Sequence, residues 1–199
     1  TILKGAAATA LYGSRAASGV VMITTKTGKK NKGLGIEYNG GLQWSTILRL
    51  PEFQNEFGMG WNGDHTELEN GSWGPRFDGS MQLWGNKYEN SQKLKPYSPI
   101  KNNIKDFFDA GFRYNNSVSF NGATDKSEYY VSFSQISDDG MVPTDADSYD
   151  KYTFSARGSH KVKALTFSSS LNYSYQKNKF ATTGQGLTML NSLYQTPRD

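Results

Sequence analysis

The chain has 199 residues, of which 36% are hydrophobic and 14% aromatic, and its formal net charge is +4. No apolar run approaches the roughly 20 residues that a membrane-spanning helix needs, which excludes a helical membrane protein. The sequence contains no cysteine, so disulfide frameworks, thiolate metal sites and cysteine nucleophiles are excluded as well.

Residues 1–28 differ in pattern from the rest of the chain. The small residues from Ala6 to Tyr12 predict a short helix, and the β-branched segment from Val20 to Thr25 predicts a strand buried on both faces. Glycines occupy the predicted turns, where positive φ is tolerated, at Gly5, Gly13, Gly19 and Gly28.

A lysine-rich stretch interrupted by glycine follows, with Lys26, Lys29, Lys30 and Lys32. Neither a basic helix nor an RNA-stacking motif accompanies it, so we expect no nucleic-acid partner. We interpret residues 29–33 as a solvated linker.

From Leu34 onward, apolar and polar residues alternate with a period of two, which is typical of amphipathic strands. The cleanest example places Leu165, Phe167 and Leu171 on one face and Ser168 and Ser170 on the other. Five such strands are predicted, at residues 34–45, 112–121, 128–134, 151–157 and 165–176.

The connections between the predicted strands alternate in length. The stretches 46–111 and 138–150 are long, whereas 122–126 and 160–164 are short. Long external loops alternating with tight periplasmic turns are typical of outer-membrane β-barrels. In a barrel, rings near strand ends would form interfacial girdles, here Trp44, Phe112, Tyr114, Tyr173 and Tyr175. Five strands cannot close such a barrel, so we expect the chain to be a segment of a longer protein.

Several sequence blocks occur together in a familiar order: LKGAAATALYGSRAASGVVMITTKTGK (3–29), SWGPRFDG (72–79), IKDFFDAGFRYNNSVSFNGAT (104–124), SEYYVSFSQISDDGMVP (127–143) and QTPRD (195–199). Together they resemble SusC/RagA-type TonB-dependent outer-membrane transporters of Bacteroidetes. The resemblance covers essentially the whole chain.

The resemblance implies a mainly β fold. Residues 1–28 would be the C-terminal end of an α+β plug domain, and 34–199 the first five or so antiparallel strands of a large transmembrane β-barrel. Residues 46–111 would be a long extracellular loop.

The resemblance also implies a function in the outer membrane, namely active import of oligosaccharides or peptides into the periplasm. The implied partners are a SusD-type surface lipoprotein, the TonB–ExbB–ExbD complex through an upstream segment, and outer-membrane lipid.

The insertion 46–111 is rich in aromatic residues, which provide stacking platforms for sugar rings or peptide side chains. The same rings can instead pack the loop onto itself and onto the plug. The predicted substrate contacts are Trp61, Trp73, Arg76 and Trp84.

No catalytic or metal-binding pattern stands out. Five aspartates crowd the loop 138–150 without the spacing of a calcium loop, and His65 and His160 are isolated. We therefore expect neither enzyme activity nor a cofactor or metal.

Two alternatives remain open from the residues. One is a siderophore or cobalamin receptor of the same plug-and-barrel class. The other is a soluble β-sandwich that binds carbohydrate, since a sandwich with an apolar core has the same alternation.

Overall fold

The computed structural model describes residues 2–28, 30, 35–184 and 186–199, and these residues form a mainly β structure. The strands are β1 Ile2–Leu3, β2 Val20–Val21, β3 Gly35–Ser45, β4 Met81–Tyr88, β5 Ser91–Pro96, β6 Gly111–Ala123, β7 Ser127–Asp138, β8 Tyr149–Val162 and β9 Leu165–Asn178. The α-helices are α1 Ala6–Tyr12 and α2 Met189–Gln195. The predicted linker 29–33 lies, except for Lys30, outside the described residues.

The five predicted amphipathic strands are confirmed as β3 and β6 to β9, which form one antiparallel sheet in the order β3-β6-β7-β8-β9. The predicted mainly β fold class is therefore confirmed. In the described part of the chain, no helix combines the length and the apolar character needed to cross a membrane.

The two faces of this sheet have opposite chemical character. On the polar face, Ser159 donates to Glu128 at 3.1 Å, and Arg157 donates to Asn172 at 3.4 Å. The apolar face carries large exposed side chains, and Phe167 on β9 is 62% exposed. Other exposed members of the apolar rows are Ile36, Tyr38, Leu42, Trp44, Phe112, Phe120, Tyr129, Phe133, Phe154, Leu165, Leu171, Tyr173 and Tyr175. The sheet therefore presents an extended apolar surface.

The chain divides into two compact units. The first consists of the described residues of Thr1–Asn39, Ser117–Phe133 and Thr153–Ser174. The second consists of the described residues of Gly40–Asn116, Ser134–Tyr152 and Tyr175–Asp199.

The start of the first unit is a small α/β arrangement. Strands β1 and β2 pair antiparallel, with Leu3 opposite Val20, and helix α1 lies between them in sequence. The buried residues of its described part are Ala8 on α1 and Ala16 in the following 3₁₀ turn.

The prediction of a strand from Val20 to Thr25 buried on both faces is wrong. Strand β2 ends at Val21, and the side chains of Val21 and Ile23 are 67% and 83% exposed. Its one neighbour in the described residues is the two-residue strand β1, which is too short to pair with or cover a longer strand.

The glycines of this region adopt two kinds of conformation. Gly5, Gly13 and Gly19 have φ angles of 61°, 72° and 101°. The expectation of positive φ at Gly28 is wrong, because Gly28 is absent from the positive-φ glycines of the described chain. A Cβ at Gly28 would instead lie 2.7 Å from the backbone nitrogen of Tyr129 and clash with the carbonyl oxygen of Gly122. Gly28 is thus required for close backbone approach.

We expect Gly13→Ala to lower the free energy of unfolding of the full-length protein by about 1–2 kcal/mol, because an L side chain is strained at φ 72°. Space is not limiting there, since no heavy atom lies within 4 Å of the added Cβ. The control is Gly158→Ala on β8, where φ is ordinary and the nearest contact is 3.6 Å. Urea titration measures both, and equal effects would contradict the strain assignment.

Candidate functional site

The insertion between β3 and β6 folds around Tyr97, which is 2% exposed. Its hydroxyl donates to the carbonyl oxygen of Pro75 at 2.9 Å, and its ring lies 4.8 Å from that of Phe77 and 5.4 Å from that of His65. Strands β4 and β5 form a hairpin directly before Tyr97 in the chain. The long loop therefore has an ordered core of its own.

Burial raises the pKa of Tyr97 to about 12 from its usual value of 10.0. The folded state therefore binds the hydroxyl proton of Tyr97 more tightly than the unfolded state does. The contribution of this proton to the free energy of unfolding is complete below pH 10 and is lost as the pH rises toward 12. We expect Tyr97→Phe to remove up to about 1.4 kcal/mol per pH unit from the alkaline decline in stability within this window. Urea titrations of both proteins between pH 9 and 12 test this, and identical slopes would contradict it.

The C-terminal end of the second unit is anchored by Arg198, which is 4% exposed. Its Nε donates to the carbonyl oxygen of Gln54 at 3.1 Å, and one terminal nitrogen donates to Asn55 at 2.8 Å and to the carbonyl oxygen of Lys101 at 3.0 Å. The other terminal nitrogen donates to Asn103. Arg198 thus joins the segment that follows α2 to two parts of the insertion.

Every acceptor around the guanidinium of Arg198 is a neutral amide or carbonyl oxygen. The ring of Phe53 lies beneath the group at 5.2 Å, and desolvation by burial lowers the pKa of Arg198. Next to it, the carboxylate of Asp199 accepts from the backbone nitrogen of Met59 at 2.7 Å. We call Arg198 and Asp199 the terminal anchor.

A cavity of about 710 Å³ lies beside the terminal anchor, within the second unit. The first wall comes from the insertion, with Phe53, Trp61 and Trp73, and the second from Tyr194 at the end of α2. Trp61 and Trp73 meet edge to face, with ring centroids 6.3 Å apart, and Phe53 meets Tyr194 at 5.9 Å. The lining is therefore largely aromatic, and we call this space the aromatic cavity.

Polar groups complete the lining of the aromatic cavity. Asn70 donates to the side-chain oxygen of Gln195 at 3.0 Å, which joins the two walls. The carboxylate of Glu69 also lines the cavity. Stacking surfaces edged by amides and one carboxylate suit a partly apolar ligand with hydrogen-bonding groups.

The structure separates the four predicted substrate contacts. Trp61 and Trp73 line the aromatic cavity, whereas Arg76 and Trp84 do not. Arg76 pairs with Glu56 at 3.0 Å and lies 5.3 Å above the ring of Phe57. Trp84 lies on β4 with the ammonium group of Lys95 4.9 Å from its ring. The cavity is also lined by Tyr194, Gln195 and Arg198, which were not predicted as site residues. Gln195 and Arg198 belong to the block QTPRD (195–199), but the block alone does not indicate a contact with the insertion.

In the first unit, the segment before the predicted linker contacts the polar face of the sheet. Lys26 pairs with Glu37 on β3 at 2.9 Å, and Arg157 on β8 donates to the carbonyl oxygen of Lys26 at 3.4 Å. A second cavity of about 290 Å³ lies nearby, lined by Thr27, Glu128 and serines of β9. Polar side chains of the sheet therefore hold this segment.

In the loop 138–150, hydrogen bonds from backbone or hydroxyl groups of the protein reach Asp138, Asp139, Asp147 and Asp150. Asp147 accepts from the backbone nitrogens of Met141 and Val142 at 3.0 and 2.9 Å, and Asp139 accepts from that of Phe112 at 2.6 Å. No group of three or more acidic or histidine side chains suited to a metal ion occurs in the described parts of the chain.

Comparison with known proteins finds similarity to three TonB-dependent receptors. The chain is 26% identical to the TonB-dependent receptor SusC of Bacteroides thetaiotaomicron over 94% of its length, and 28% identical to the TonB-dependent receptor P26 of Formosa agariphila over 93%. It is also 29% identical to the TonB-dependent receptor P3 of Formosa agariphila over 71%. No family model matches the sequence.

These similarities confirm the resemblance to TonB-dependent receptors of Bacteroidetes that the sequence blocks indicated. The chain spans only 12% to 17% of the length of these relatives. All three relatives are named as receptors.

Proposed function

We propose that this chain is part of a TonB-dependent outer-membrane transporter that actively imports oligosaccharides or peptides into the periplasm. The proposed partners are a SusD-type surface lipoprotein and the TonB–ExbB–ExbD complex. Residues 1–28 would close the plug, and the large sheet would form part of the barrel wall.

The observation that carries this proposal is the amphipathic sheet. Its large apolar side chains, including Phe167 and Tyr173 at 62% exposure each, lie on one face, and its polar side chains lie on the other. Lipid covers the apolar face in an outer-membrane barrel, while the polar face lines the lumen. The sequence similarity to three TonB-dependent receptors supports the same conclusion.

The contacts of the polar face fit this arrangement. The carbonyl oxygen of Lys26 accepts from Arg157, and the ammonium group of Lys26 pairs with Glu37. A plug inside a barrel must be held by polar groups of this kind, because the lumen-facing side of the wall is polar.

The test uses the full-length protein in a Bacteroidetes host. We expect it to fractionate with the outer membrane, to migrate as a heat-modifiable band, and to support nutrient uptake that a proton uncoupler or deletion of TonB abolishes. A full-length protein that is soluble without detergent, or uptake that is independent of TonB, would contradict the proposal.

A further inference from the structure

The two compact units differ in charge. Within the sequence ranges of the first unit there are ten lysines and arginines against three acidic residues, whereas the ranges of the second unit contain twelve and fifteen. The positive formal charge of the chain therefore comes from the first unit. Such an imbalance points to an anionic partner for the first unit.

Three lysines of the first unit come together where the sheet has its two tight turns. Lys126 directly precedes β7, Lys161 lies near the end of β8, and Lys163 lies in the turn between β8 and β9. The backbone nitrogen of Lys161 donates to the carbonyl oxygen of Lys126 at 2.7 Å, so these two residues lie opposite each other on neighbouring strands. All three lysines are exposed. We call Lys126, Lys161 and Lys163 the lysine cluster.

Within the described part of the chain, no carboxylate forms an ion pair with the lysine cluster. Of the three acidic residues in the first unit, Glu37 and Asp125 pair with other lysines, and Glu128 accepts from Ser159 at 3.1 Å. Like charges that lie opposite each other on neighbouring strands repel. A bound anion would relieve this repulsion and supply the counter-charge.

Exposed apolar side chains adjoin the lysine cluster. Val162 and Leu165, on either side of the β8–β9 turn, are 45% and 64% exposed. Leu165 belongs to the same row of β9 as Phe167, so the turn lies at the edge of the apolar face. The methylene stems of lysine side chains can follow such an edge while their ammonium groups stay in water.

This combination suits the boundary between the hydrocarbon and the anionic headgroups of a membrane. There, Val162 and Leu165 would contact acyl chains, and the lysine cluster would attract headgroup phosphates. A nucleic acid, an acidic peptide or free phosphate would neutralise the lysines but leave the neighbouring apolar side chains in water. The charge and the apolar edge therefore both favour an anionic phospholipid.

We propose that the lysine cluster binds the headgroups of anionic phospholipids, with Val162 and Leu165 against their acyl chains. The placement of this surface in the periplasmic leaflet rests on the proposed function, because tight turns lie at the periplasmic end of outer-membrane barrels. The preference for anionic headgroups rests on the lysine cluster itself.

Native mass spectrometry of the purified full-length protein tests the proposal. The protein is released from detergent micelles that contain equal amounts of phosphatidylglycerol and phosphatidylcholine with the same acyl chains. We expect phosphatidylglycerol to be retained in about fivefold excess or more over phosphatidylcholine, because the lysines attract its net negative charge. Similar retention of the two lipids would overturn the proposal.

Variants of the lysine cluster assign the preference to these side chains. Lys126→Gln/Lys161→Gln/Lys163→Gln should reduce it to less than about twofold, whereas Lys126→Arg/Lys161→Arg/Lys163→Arg should preserve it because the charge remains. Unchanged near-ultraviolet circular dichroism would establish that both variants are folded. Retained preference in the folded glutamine variant would overturn the proposal.

Lys87→Gln/Lys93→Gln/Lys105→Gln is the matched control, because it removes the same charge from exposed lysines of the second unit. It should keep the full preference for phosphatidylglycerol, and an equal loss in this control would contradict the assignment to the lysine cluster. Displacement of the retained phosphatidylglycerol by an equimolar amount of hexaglutamate or inorganic phosphate would also overturn the proposal.

Uptake measurements separate this proposal from the proposed function. Loss of TonB-dependent uptake by a protein that prefers phosphatidylglycerol would contradict the proposed function alone. TonB-dependent uptake by a protein that retains the two lipids equally would contradict the role of the lysine cluster alone.

Discussion

Phe167→Arg places a charge on the outward face of β9. In a barrel with Phe167 near the bilayer midplane, this charge should destabilise the folded protein in lipid by about 2–4 kcal/mol. The side chain of Phe167 is 62% exposed on the apolar face, so an arginine there would meet hydrocarbon in the proposed barrel. The measurement is urea-induced unfolding of the full-length protein in lipid vesicles.

Ser168→Arg is the control, because Ser168 is the next residue on β9 and points to the opposite face. Ser168 lines the smaller polar cavity with Thr27 and Glu128, where an arginine can remain solvated or pair with the carboxylate. Its cost should be well below that of Phe167→Arg. Equal costs for the two variants would refute the assignment of the faces.

Removing the guanidinium of the terminal anchor should destabilise the insertion by about 2–4 kcal/mol in Arg198→Met. Methionine keeps part of the packing on Phe53 but removes the guanidinium donors from Gln54, Asn55, Lys101 and Asn103. Of these acceptors, the oxygen of Asn103 keeps a donor in the backbone nitrogen of Ile104 at 2.9 Å. Hydrogen exchange of the amides of residues 53–77 in the full-length protein reports the change.

Arg76→Met provides the matched control for this prediction. Arg76 belongs to the same insertion, but its ion pair with Glu56 is exposed, with side chains 69% and 60% accessible. Exposed pairs of this kind contribute less than about 1 kcal/mol. A similar increase in exchange for the two variants would show that the buried hydrogen bonds of Arg198 are not the source of its effect.

The sheet could be predicted from the sequence because its signal is local. Alternation such as that of Phe167 and Ser168 is visible in any short window, and tight turns such as 122–126 delimit the strands. The short helix Ala6–Tyr12 was equally accessible from its composition. These elements were therefore predicted in their observed places, although β7 and β8 extend four and five residues beyond the predicted ends at 134 and 157.

The hairpin of β4 and β5 was missed because its turn signal is weak. The central residues Glu89 and Asn90 have φ angles of 46° and 57°, as a type I′ turn requires. Asn-Gly or Asp-Gly would have indicated such a turn, whereas Glu-Asn does so only through its asparagine.

The aromatic cavity could be predicted only in part, because it depends on contacts between distant residues. The tryptophans of the insertion were candidates through their residue type, and the SWGPRFDG block around Trp73 does not show which of them line a cavity. Tyr194 contacts Phe53 of the insertion, and Arg198 contacts residues of the insertion that lie between 95 and 144 positions away in the sequence. Similarly, the close approach of Gly28 to Tyr129 depends on tertiary packing.

The terminal anchor also constrains the order in which this region folds. The hydrogen bond from Arg198 to Gln54 spans 144 residues, and that from Met59 to Asp199 spans 140. Contacts of such high sequence separation carry a large loop-closure entropy, so they form late relative to local hairpins such as β4–β5. During synthesis, the first wall of the aromatic cavity emerges well before the second. The cavity is therefore complete only after Tyr194 has joined Trp61 and Trp73.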